Sequence, residues 1–179
     1  VNAAGPQAEF IARNRYLDGN GNELCTETAQ YRLQRNQHGF LITIDARLRA
    51  SKDIFFGVKE EMGLTLRVAT PITVKYGKGS ILSAAGGANG KGTWGKVDKW
   101  WDYFGPVGKR SVGVQIMSAP DNPEVWSHSR DYGVLVANPL PVDIKANRHK
   151  KVNLAKGNEL GLRFGVQIHD HADRSDYDP

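Results

Sequence analysis

The chain has one cysteine, Cys25, among 179 residues. One thiol closes no internal disulfide and cannot by itself build a Cys-based zinc or iron–sulfur site. Set between Leu24 and Thr26 in a strand-like run, it reads as a small buried apolar residue. Long apolar runs are missing too. None approaches the ~20 residues of a membrane-spanning helix, so the expectation is a protein without membrane spans. The first residues, VNAAGPQAEF, have no basic n-region, no apolar h-region and no initiating Met, which reads as a processed or partial chain. No stretch of ten residues carries a 3.6-residue apolar stripe, so long amphipathic helices do not organise the fold. A concentrated charge of one sign is also absent. The net +5 comes from scattered Lys and Arg. The densest cluster, KANRHKK at Lys145 to Lys151, lacks interleaved aromatics and reads as a solvated hairpin, not a nucleic-acid surface.

What the sequence does contain is period-two alternation. In FLITIDARL, Phe40, Ile42, Ile44, Ala46 and Leu48 share one face. MGLTLRVA turns Met62, Leu64, Leu66 and Val68 inward and Thr65 and Arg67 outward. SVGVQIM buries Val112, Val114 and Ile116. LGLRFGVQIH buries Leu160, Leu162, Phe164, Val166 and Ile168, leaving Arg163, Gln167 and His169 opposite. Less regular strands fit Glu9–Tyr16, Glu23–Gln34, Ile54–Val58, Ser80–Ser83, Tyr132–Ala137 and Lys150–Leu154. Turn signals separate them: DGNGNE, NQHG, YGKG, APDNP and AKGNE. Many short strands without long helices predict an all-β protein, an antiparallel β-sandwich with long loops. Jelly-roll and supersandwich variants both stay open. One domain over residues 1–179 is the most economical organisation. The Gly-rich half of SAAGGANGKGTWGKVDKWWDYFG reads as a long loop and its aromatic half as a surface that packs or binds something flat.

Four clusters carry chemistry. GGANGKGT is not a phosphate-binding P-loop, because position 85 is Ala and Lys91 is followed by Gly92. Trp94, Trp100, Trp101, Tyr103 and Phe104 could stack on sugar rings, or alternate members could close the core. The block WSHSRDYGVLVANP offers His128 as acid or base and Arg130 as a fork for a carboxylate, either a ligand's or that of Asp131. The same block would serve as a loop that locks geometry before a core strand. His169 and His171 share a strand face, a metal-ligand spacing that still needs a third ligand, so no metal site is assigned. Glu60 and Glu61, read as consecutive residues entering a strand, would point to opposite faces, so at most one faces a site.

KEEMGLTLRVA, the WGK of Trp94 to Lys96, WWDYFG, GVQIMSAPDNP, WSHSRDYGVLVANP and KGNELGLRFGVQIHD together resemble the PmoA-like family of bacterial proteins, from about Glu9 to the end of the chain. The family is named after a methane oxygenase. Membrane copper chemistry of that kind is not expected here, since the sequence has neither a spanning segment nor a copper-ligand set. The resemblance implies an all-β, commonly exported protein linked to carbohydrate breakdown, and so an exported or periplasmic location. Members of that family carry a His-rich block upstream of the part matched here. Positions that match the family's blocks are Glu60 or Glu61, Arg67, Trp94, Lys96, His128, Arg130, Asp131, Tyr132 and Asn138.

The resulting expectation is a protein that binds or transforms carbohydrate, or a related small molecule, in a polar cleft. His128, Arg130, Asp131 and Arg67 would form the reactive set, with Asp131 orienting His128 or pairing with Arg130. Lys96, Trp94, Trp101, Tyr132, Asn138 and His169 would hold the ligand. Lyase, epimerase and hydrolase chemistry all use such parts, and the residues leave the cofactor open. The competing readings are a non-catalytic carbohydrate-binding module and an interaction domain built on the Trp94–Tyr103 aromatics.

Overall fold

The fold is organised by one wide sheet and a much smaller one. In the computed structural model, all residues are described except 1, 6, 58, 141, 144–147, 150 and 173–179. Fifteen strands run β1 (Asn2–Ala4), β2 (Gln7–Leu17), β3 (Glu23–Asn36), β4 (Gly39–Ala50), β5 (Ile54–Phe56), β6 (Leu64–Arg67), β7 (Ser80–Ser83), β8 (Trp100–Val107), β9 (Arg110–Ser118) and β10 (Trp126–Ser127). They continue as β11 (Val134–Asn138), β12 (Val142–Asp143), β13 (Arg148–His149), β14 (Val152–Leu154) and β15 (Glu159–His171). The large sheet has the order β1-β2-β3-β4-β15-β9-β8-β7. A second sheet, β10-β11-β6, and the pairs β14-β5 and β12-β13 complete the set. Every pairing among the described residues is antiparallel. The protein is thus an all-β, sandwich-like fold.

Local chemistry sets the turns. Between β2 and β3 the Asp18 carboxylate accepts the amides of Asn20 and Asn22 at 3.0 and 2.9 Å. These bonds, Asn22's first, lower its pKa to about 2. Between β3 and β4, Gly39 lies at φ 137°, and a Cβ there would sit 2.3 Å from the Ile168 carbonyl.

Register puts whole rows of side chains on one face. Trp101, Ile116, Val166, Ile42, Leu33 and Ala8 form one cross-strand row on the inner face. Tyr103, Val114, Ile168 and Phe40 form the next. The small sheet covers the β7-β8-β9-β15 end of this face. There Leu135 and Ala137, with Leu64 and Leu66, pack against Ile81, Trp101, Tyr103 and Ile116. Each fully buried large apolar side chain contributes about 1.5–3 kcal/mol. Phe40, at the other side, remains 44% exposed because no opposing strand reaches it.

Three expectations change. The aromatic segment WWDYFG is strand β8 inside the large sheet, and Trp101 and Tyr103 are fully buried. Its alternation is hidden in the sequence because Trp100 and Phe104 fill the opposite face. The Gly-rich half is not wholly loop, since Asn89–Thr93 forms a short helix, α1. The strand expected from Tyr132 starts at Val134, after a turn in which Gly133 takes φ 106°. Of the remaining segments, Val58, Lys150 and most of KANRHKK lie outside the described residues.

Candidate functional site

The segment 126–130 is clamped on both sides. The His128 amide donates to the Val136 carbonyl of β11 at 3.1 Å, and Ser127 exchanges backbone bonds with the 95–96 loop at 2.7 and 2.9 Å. Arg130 closes the following turn, donating to Val134 O and accepting from Gly133 N. Trp126 anchors the start through Nε1 to the Leu140 carbonyl, 3.0 Å, with its ring edge-on to His128.

His128 therefore sits almost fully buried at the floor of an open pocket of about 460 Å³, lined by Lys59, Glu60, Glu61, Arg130 and Tyr132. Its two nitrogens face opposed demands. Trp94 Nε1–H points at Nδ1 at 3.2 Å and Arg130 Nε–H at Nε2 at 3.1 Å. Both partners can only donate, while a neutral imidazole offers one acceptor. Glu60 Oε2 lies 3.2 Å from Nδ1 and Glu61 Oε1 3.7 Å from Nε2, so each tautomer finds one donor and one carboxylate. Burial, then the Arg130 charge, lowers the His128 pKa below its ordinary value, against the smaller upward pull of the two glutamates. The lowered pKa favours the neutral ring near pH 7.

The glutamates are the solvent-facing members. Their side chains are 46% and 69% exposed, against 2% for His128. Both reach the ring because they lie in the turn before β6 and not on a strand, so strand alternation does not separate them. This corrects the expectation that at most one faces the site. Glu60 also accepts from Arg130 Nη2 at 3.2 Å.

The other expected residues divide. Asp131 neither orients His128 nor pairs with Arg130. Its Oδ1 accepts Gly90 N of α1 at 2.7 Å, and its carbonyl accepts the Tyr103 hydroxyl at 2.9 Å and Lys75 N at 2.8 Å. It fastens the turn behind the site. Trp94 is engaged by the protein itself, its indole N–H at His128 and its ring 5.2 Å from the Arg130 guanidinium. Asn138 is fully buried, donates to the carbonyls of Lys59 and Glu60 at 2.9 and 3.3 Å and accepts from Leu140 N, so it positions the glutamate turn. Tyr132, 37% exposed, stands at the rim with the Arg67 guanidinium 6.0 Å from its ring. Lys96 is exposed, and its described bonds are backbone ones.

Two expected residues lie elsewhere. Trp101 is sealed in the core and cannot stack on a ligand. His169 points to the opposite face of the large sheet. Adjacent residues of a strand alternate in face, so Tyr103, which bonds to the Asp131 turn, and Asp102, which bonds to His169, lie on opposite sides. His169 Nε2 meets Asp102 Oδ1 at 2.8 Å with both side chains wholly buried. The ring lies across Gly113, where a Cβ would be 2.5 Å from Cε1 and Nε2. His171 is neighbour to His169, with rings 5.2 Å apart, and His38 to His171 at 5.4 Å. Among the described residues no group of three or more His, Cys, Asp or Glu has metal-holding geometry.

The sequence pattern of a family described as of unknown function (DUF6807) matches residues 1–177. No curated protein matches the chain. The crystal structure of the Slr1438 protein from Synechocystis sp. PCC 6803 is similar at 12% identity and a TM-score of 0.38, over 93% of this chain and 63% of that one. The chain thus spans just under two thirds of that relative's length.

Proposed function

Since the chain belongs to a family of unknown function, the geometry must carry the assignment, and we propose that the His128 pocket binds a small polyhydroxylated ligand of the carbohydrate class and transfers a proton to or from it. One observation carries this reading: a buried, neutral imidazole whose carboxylate partners among the described residues are exposed side chains on a turn. A ligand hydroxyl displaces Glu60 or Glu61 from the ring. There it competes with Trp94 Nε1–H or Arg130 Nε–H for the unprotonated nitrogen, the imidazole accepts its proton, and the carboxylate at the other, protonated nitrogen stabilises the imidazolium until the proton returns. Arg130 and Lys59 supply hydrogen bonds to oxygen, and Tyr132 offers a ring face at the rim. The resemblance of the WSHSRDYG block to the PmoA-like family points in the same direction.

The rival readings, a flat aromatic platform or an aromatic docking patch, lose their main support because Trp101 and Tyr103 are interior. A saccharide panel, read by thermal shift and by NMR line broadening on the wild type and on His128→Asn and Glu60→Gln/Glu61→Gln, tests the proposal. Binding of at least one saccharide that weakens in His128→Asn supports it. Binding that is indifferent to His128, or no binding across the panel, overturns it.

A further inference from the structure

The second feature lies on the half of the large sheet that the small sheet leaves open. A groove of about 740 Å³ runs between the β3-β4-β15 face and the β5 and Met62–Leu64 segments, within the size range of small-molecule sites. Ala46 and Leu162 line its floor, in a cross-strand row that continues away from Ala46 through the small residues Ala29 and Ala12. Larger rows flank it, Phe10–Tyr31–Ile44–Phe164 on one side and Asn14–Glu27–Leu48–Leu160 on the other. Ala29 and Ala46 are 1% and 8% exposed between larger neighbouring rows, so they form a furrow and not a surface.

One group in this apolar furrow is out of character. Glu27 lies on the same face as Tyr31, with Ala29 between them, and its carboxylate is half-buried beside Leu48. Asn14 Nδ2 and the Tyr16 hydroxyl both donate to Oε2, at 2.8 and 3.0 Å. Oε1 receives no hydrogen bond from the described residues. The hydrogen bond to a carboxylate, behind the larger effect of burial, pushes the Tyr16 pKa up to about 12. The other charged groups at the groove are engaged: Lys52 with Asp18 at 3.2 Å, and Asp53 with the Lys156 amide at 2.8 Å. A free anionic oxygen beside aromatic rings and an apolar trough is complementary to a cation with a hydrocarbon body.

We propose that this groove is a binding site for an organic ammonium ligand, its alkyl or aryl body in the alanine furrow and its ammonium on Glu27 Oε1. The groove shares no lining residue with the His128 pocket.

The probe is n-octylammonium chloride below its micelle concentration, compared with octanoate and octanol by calorimetry on the intact chain. The wild type is expected to bind the ammonium at least about tenfold more tightly than octanoate or octanol, as a charge-assisted bond implies. Glu27→Gln should erase that preference while leaving octanol binding in place. Ala46→Phe should fill the furrow and abolish binding of all three, and its near-UV circular dichroism shows whether the sheet is intact. Equal binding of octanoate, an unchanged preference in Glu27→Gln, or sedimentation showing a dimer that excludes every probe would each overturn the proposal.

Discussion

Two histidines of this chain are equally hidden from solvent, yet their surroundings differ in kind. His128 is 2% exposed and His169 1%. His169 is bonded to a carboxylate that is itself buried, on a sheet face where Gly113 makes room for the ring. His128 is fixed from behind by Trp94 and Arg130 and met in front by two carboxylates that reach into water. Burial of an imidazole therefore does not mark a reactive group. What distinguishes His128 is a pair of carboxylate partners whose side chains stand in solvent.

The largest expected contrast is in stability. Asp102→Ala breaks a buried pair and should destabilise the fold by about 3–5 kcal/mol in denaturant unfolding. Glu60→Ala removes an exposed partner and should change stability by under about 1 kcal/mol. A reversed order would break the comparison. Next, Gly113→Ala drives a methyl into the His169 ring and should destabilise by about 1–3 kcal/mol. Its imidazole resonances should move while those of His128 stay.

The third contrast is in pH dependence. The folded pKa of His128 lies below the ordinary unfolded value near 6.5, so between the two the unfolded chain binds more protons. Stability from this residue is full above ~6.5 and falls as pH drops through the folded pKa, by about 1.4 kcal/mol for each tenfold depression of its proton affinity. His128→Asn should flatten that limb of the stability profile. The smallest effects are within the site. Arg130→Met removes a neighbouring positive charge and should raise the His128 pKa. Glu60→Gln should lower it, because the carboxylate favours the imidazolium.

How far these features show in the sequence depends on where their partners come from. The inward faces of β4 and β15 largely repeat every second residue, so FLITIDARL and LGLRFGVQIH announce strands directly. WWDYFG does not, because its two faces both carry rings and only register separates Trp101 from Trp100. The His128–Arg130 block stands out locally, but its Glu60 partner is 70 residues from Arg130 and comes to it through the β6–β11 pairing. Asp102 is invisible as a partner of His169 for the same reason, with 67 residues between them. A signal was present in Gly113, an isolated glycine inside an alternating strand, which marks close approach by another group. Glu27 carries no sequence mark, since its meaning depends on which half of the sheet is left uncovered.

Under the proposed function, His128, and not His169, is the ligand-responsive imidazole. A long-range nitrogen–proton NMR titration of both rings, with and without a saccharide from the panel, addresses it directly. The prediction is a His128 titration midpoint below the ordinary histidine value, with shifts on ligand addition confined to that ring. A His128 midpoint above that value, or ligand shifts at His169 with none at His128, would contradict it.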